Sequence, residues 1–112
     1  MKPLEIEVLV AKLGFKEEPS QLFQISYDGT VVDKDNFVIL GGDAQQLIER
    51  ANDALTDQYP ISEAIIKAID ILQGPDRTLS SDDLEVAVLQ DRGQPRTFFR
   101  YDHAKIREII DR

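Results

Sequence analysis

The chain has 112 residues, 42% hydrophobic and 30% charged, which suits one globular domain spanning residues 1–112 and is too short for two ordinary ones. Thirteen Lys and Arg against 21 Asp and Glu leave a net charge of −8, so a nucleic-acid or membrane-surface binder, which needs a basic face, is not expected. No cysteine is present, which excludes a disulfide framework, a thiolate metal site and a cysteine nucleophile, and the single histidine, His103, excludes His-rich metal sites.

Leu4 to Ala11 alternates, with Leu4, Ile6, Val8 and Val10 on one face, the period of a strand. Gly14 to Ser20, with Pro19 and several charges, reads as a loop. Gln21 to Tyr27 is strand-like again, and Asp28-Gly29 is a strong turn signal leading into Thr30-Val31-Val32, so residues 21–32 form a hairpin. A polar turn at 33–36 precedes Phe37-Val38-Ile39-Leu40, an all-apolar run that reads as a strand covered on both faces. Gly41-Gly42 ends it. Asp43 then stands as an N-cap to a helix with Ala44, Leu47, Ile48, Ala51, Ala54 and Leu55 at helical spacing. A second helix starts near Ser62, carries Ile65, Ala68, Ile69 and Leu72 as its stripe, and stops at Gly74-Pro75. After a polar loop, Leu84 to Leu89 and Thr97 to Tyr101 read as strands joined by a turn at 91–93. Asp102 caps a last helix with Ile106, Ile109 and Ile110 on one face.

The order β-β-β-β-α-α-β-β-α gives an α+β fold, a largely antiparallel sheet with a layer of three helices. One helical layer leaves the opposite sheet face uncovered. That face must be wet or must meet more polypeptide. The start of the chain, with two early acids, does not read as a signal peptide, and no apolar run approaches the roughly 20 residues of a membrane helix. A soluble, cytoplasmic protein is expected.

The residues offer no catalytic, cofactor-binding or metal site. Gly29-Thr30 could in principle yield an N-terminal threonine nucleophile, but cleavage there would break the hairpin. His103 beside Asp102 would need a nucleophile in a strained turn, and no Gly-x-Ser-x-Gly occurs. Asp33, Asp35, Asp82, Asp83 and Asp91 fit caps and turns better than a cation loop. Gly41-Gly42 lacks both the rest of a dinucleotide fingerprint and a Walker lysine. Glu17-Glu18 beside Lys16 reads as a solvated pair.

Ser26-Tyr27-Asp28-Gly29-Thr30, then Phe37 to Gly42, then Ser62-Glu63-Ala64-Ile65 leading to Ala68 through Leu72, then Leu84 to Leu89, occur in the order found in the second half of a proteasome α-type subunit. The chain resembles the actinobacterial type over essentially its whole length. The resemblance implies half of the four-layer α-β-β-α sandwich of N-terminal-nucleophile hydrolases, without the first strand pairs, the other helical layer or the gating segment. It implies a non-catalytic structural subunit acting in ring assembly and activator docking. Its implied partners are other proteasome α and β subunits, a ring ATPase activator and further copies of itself, with no cofactor. Two alternatives stand beside it: part of a β-type subunit or related hydrolase, which would bring a Gly-Ser-Gly setting that this sequence lacks, and a stand-alone acidic interaction module.

Overall fold

The computed structural model describes residues 6–111. The chain divides into two compact units, Met1–Ala44 and Gln45–Arg112. The fold is α+β, built, among the described residues, from antiparallel sheets and three helices.

In the first unit, β1 (Val8–Lys12), β2 (Gln21–Ile25) and β3 (Val31–Lys34) form a three-stranded sheet in that order. Both pairings are antiparallel, with Val8 opposite Ile25 and Ile25 opposite Val31. The loop after β1 is fixed by Gly14, whose N–H donates to Ser20 Oγ at 3.0 Å. A side chain at Gly14 would run into the Glu18 carbonyl and the Pro19 backbone.

The turn between β2 and β3 forms as Asp28-Gly29 predicts. Gly29 N–H donates to the Ser26 carbonyl at 2.9 Å, Ser26 N–H to the Thr30 carbonyl at 2.9 Å, and Gly29 adopts φ 89°. Asp28 Oδ1 accepts the Thr30 N–H at 2.9 Å. That bond, followed by one from the Thr30 hydroxyl, holds the Asp28 carboxyl below its ordinary value. A depressed carboxylate contributes stability that is present above its unfolded-state value and lost as pH falls through the folded one. Acidification through the carboxylate range should therefore loosen this turn. An NMR titration should find Asp28 with a lower midpoint than a blocked aspartate peptide, with the Thr30 amide shifting in step.

In the second unit, α1 (Ala44–Ala54) and α2 (Ile61–Gln73) precede a one-turn 3-10 helix at Ser81–Asp83, and β4 (Val86–Leu89) and β5 (Phe98–Tyr101) pair antiparallel before α3 (His103–Ile110). Asp102 caps α3 as expected, its Oδ1 accepting Lys105 N–H at 2.8 Å. Gly74 ends α2 at φ 63°, with its N–H on the Asp70 carbonyl at 3.0 Å. The neighbouring carbonyls of α2 are met by arginines from elsewhere. Arg50 donates to the Ile71 carbonyl at 2.7 Å, and Arg77 donates to the Leu72 carbonyl through Nη2 at 2.9 Å. Two cations at a helix C-terminus also oppose the negative end of its dipole. The core joins Ile69, Leu84 and Ile106, with Ile65, Leu79, Val86, Tyr101 and Ile110 packed around them.

The structure corrects the sequence reading in three places. Phe37–Leu40 is half-buried but forms no strand, so among the described residues five strands in two sheets replace about six in one. A strand exists only through a partner's hydrogen bonds, and among the described residues none is in place for this apolar run. The first strand begins at Val8, and Leu4 lies outside the described residues. In α2, Ala68 and Leu72 are exposed while Ile71 is buried. That helix carries apolar residues around most of its circumference, so spacing alone does not select the face that finds cover.

Candidate functional site

The residues that could have carried chemistry are spread over the fold in local structural roles. Thr30 sits inside the β2–β3 turn, with both backbone groups engaged. His103 opens α3, and its Nδ1 lies 3.6 Å from Asp82 Oδ1, while the Asp102 carboxylate is turned to the helix N–H groups. Asp91 Oδ1 accepts Gly93 N–H at 2.9 Å, and Asp83 Oδ2 accepts Ser80 N–H at 2.9 Å. Asp33 lies in β3. Glu17 and Glu18 are exposed in the β1–β2 loop, and Gly41 turns the chain into α1 at φ 123°.

The more distinctive feature of the second unit is an open groove of about 480 Å³. One wall is Ile61, Ile65, Ala68 and Leu72 of α2, and the other includes Val86 and Val88 of β4. β4 pairs with β5 on one edge and has no strand on its other edge among the described residues. A free edge presents unpaired N–H and C=O groups, and an apolar helix beside it supplies side-chain burial. Together they can accept an extended segment by strand addition. The opposite face of the β4–β5 pair is also open. Phe98 is 54% exposed, and Arg100 pairs across the strands with Glu85 at 3.0 Å. That ion pair is solvated on both sides and contributes little to stability.

The first unit presents a comparable surface. Val8, Leu9 and Val10 are each more than 40% exposed, although successive residues of a strand point to opposite faces. Val31 and Val32 on β3 are exposed too. Large contiguous apolar patches are uncommon on the surfaces of soluble monomers, and these strand residues are exposed.

The chain is similar to known proteins along nearly its whole length. The chain is 46% identical over 110 residues to the proteasome subunit alpha of Acidimicrobium ferrooxidans, which takes in 98% of this chain. It is 39% identical to that of Xylanimonas cellulosilytica over 91% of the chain, and 33% identical to that of Acidothermus cellulolyticus over 97%. The chain belongs to the proteasome subunit alpha family. No protein-family model matches it. It spans about half the length of the relatives it matches, 47% of the Acidimicrobium subunit and 49% of the Acidothermus one. These proteasome α relatives thus contain about as much polypeptide again as this chain.

Sequence reasoning expects one uncovered sheet face, whereas β1 is exposed at Val8, Leu9 and Val10 alike, and it does not anticipate the groove beside α2. The signal for the groove was the ring of apolar residues around α2, broader than one stripe needs. The arginines that close the end of α2 carried no local signal, because Arg50 lies 21 residues from the carbonyl it meets.

Proposed function

We propose that this chain is a non-catalytic, structural part of a proteasome α-type assembly, serving ring assembly and activator docking in the cytoplasm. The observation that carries this reading is the match to proteasome α subunits along nearly the whole chain, combined with apolar strands and a groove that this chain leaves open. Those surfaces are covered by other polypeptide of the assembly, equivalent to the part of the relatives that this chain does not match. Other α and β subunits, a ring ATPase activator and further copies of the chain are the partners the reading assigns. The sheet would meet its cover face to face at about 10 Å.

The test is co-expression with the portion of the Acidimicrobium ferrooxidans α subunit that lies outside the matched region, read by native mass spectrometry. A stoichiometric complex, and multiples of it once β subunits are added, is the expected result. Aspartate at Leu9 should weaken that complex if Leu9 lies in the covered face, and aspartate at Val8 should do so if Val8 does. The chain by itself should not hydrolyse fluorogenic peptides, since it has no cysteine and Thr30 is locked in a turn. A chain that ignores the complementing portion and stays monomeric, or one that shows turnover blocked by a threonine-directed inhibitor, refutes the proposal.

A further inference from the structure

The loop joining β4 to β5 carries a compact cationic cluster on a chain whose net charge is −8. The Arg92 guanidinium lies 3.7 Å from the centre of the Phe99 ring, and that of Arg96 lies 5.2 Å from it. Each is also tethered through Nε. Arg92 donates to Gln90 Oε1 at 2.9 Å, and Arg96 donates to the Phe98 carbonyl at 2.9 Å.

The loop beneath them is itself fixed. Gln90 N–H donates to the Thr97 carbonyl at 2.9 Å, and Asp91 Oδ1 holds Gly93, at φ 75°, through a bond of 2.9 Å. Both arginines are exposed, and neither forms an ion pair with a carboxylate among the described residues. Asp91, the nearest acid in the loop, has one carboxylate oxygen committed to the backbone.

A guanidinium has five N–H donors in a rigid fork, and one is used here on each side chain. Stacking and the Nε bonds account for where the two planes lie. Both side chains are exposed, and no other hydrogen bond engages the terminal amino groups of either fork among the described residues. A fork held in place loses little conformational freedom when it binds, and bidentate pairing with a carboxylate is stronger than a single neutral hydrogen bond.

We propose that Arg92 and Arg96, held on Phe99, form a docking site for a peptide segment carrying two neighbouring carboxylates. The occupant is a polypeptide rather than a nucleic acid. A duplex places one charge about every 1.7 Å along its axis and would meet the repulsion of the whole acidic chain, whereas two carboxylates meet mainly the local pair of cations. The inference goes beyond the proposed assembly role and does not depend on it, because the cluster lies on the hairpin loop and not among the residues that line the apolar groove.

NMR of the Arg Nε–Hε resonances in the full chain tests it, with end-blocked tetraglutamate as the probe and tetraglutamine as the control. Tetraglutamate should shift Arg92 and Arg96 saturably at millimolar concentration, and tetraglutamine should not. R92Q/R96Q should weaken binding about tenfold or more with the fold unchanged by circular dichroism, and Arg100→Gln should leave it intact. R92K/R96K keeps the charge and loses the fork, so it should bind several-fold more weakly than the parent chain, which separates directed pairing from simple attraction. Equal shifts with tetraglutamine, undiminished binding by R92Q/R96Q, or tighter binding of inorganic phosphate or a short DNA duplex would overturn the proposal.

Discussion

Ile106→Ala should destabilise the second unit by about 2–5 kcal/mol, the range for truncating a large aliphatic side chain that is fully enclosed. Ile106 has no exposed surface and sits with Ile69 and Leu84 at the centre of the cluster that ties α3 to α2 and the β4–β5 pair. The loss has two parts, the transfer of the missing methylenes and the cavity they leave. The second part is large here because the groups around the cavity belong to two helices and both strands of the β4–β5 pair, which cannot all close in together. Domains of this size are stable by only about 5–15 kcal/mol, so the variant should lose a large share of its stability. Urea unfolding followed by circular dichroism provides the measurement. Phe98→Ala is the natural contrast, since that ring is 54% exposed and its removal should change stability by less than about 0.5 kcal/mol in the isolated chain. A cost below about 1 kcal/mol for Ile106→Ala would show that this cluster is not what holds the unit together.

The parts of the fold that could be read from the sequence are those whose causes are local. Asp28-Gly29 determines its own turn because the glycine takes φ 89° and the aspartate bonds a backbone N–H two residues on. Asp102 determines the start of α3 in the same way, and Gly74 the end of α2. The strands read at 21–27, 84–89 and 97–101 form at Gln21–Ile25, Val86–Leu89 and Phe98–Tyr101, legible from period-two alternation and the turns between them, while the run read at 4–11 pairs from Val8 to Lys12.

What the sequence hides is anything set by a distant partner. Phe37–Leu40 has strand composition, yet composition does not create the neighbouring ladder that a strand needs. The apolar circumference of α2 says that more than one side seeks cover. Only the fold shows Ile69 and Ile71 finding it while Ala68 and Leu72 line an open groove. The candidate site is therefore half legible. Its apolar residues can be named from the sequence, and their lack of a cover is visible only in the fold.

Gly74→Ala should be destabilising, and its cost should depend on whether Arg50 is present. At φ 63° an alanine pays roughly 1–2 kcal/mol for the left-handed backbone that glycine adopts freely. Its added methyl would also occupy the space of the Arg50 guanidinium. Arg50 cannot simply swing away at no cost, because it donates to the Ile71 carbonyl at 2.7 Å in a partly buried position, a contact worth about 1.5–3 kcal/mol for a charged donor. The two residues thus share one volume. In the Arg50→Ala background the guanidinium is already gone, and only the backbone term of Gly74→Ala remains. The double variant should accordingly be more stable than the sum of the single changes implies, by about 0.5–3 kcal/mol. Chemical denaturation of the four proteins measures that coupling directly. Strict additivity would mean that Arg50 finds an equally good bond elsewhere once displaced, and that the close of α2 rests on the Gly74 turn and Arg77 rather than on the arginine reaching across from α1.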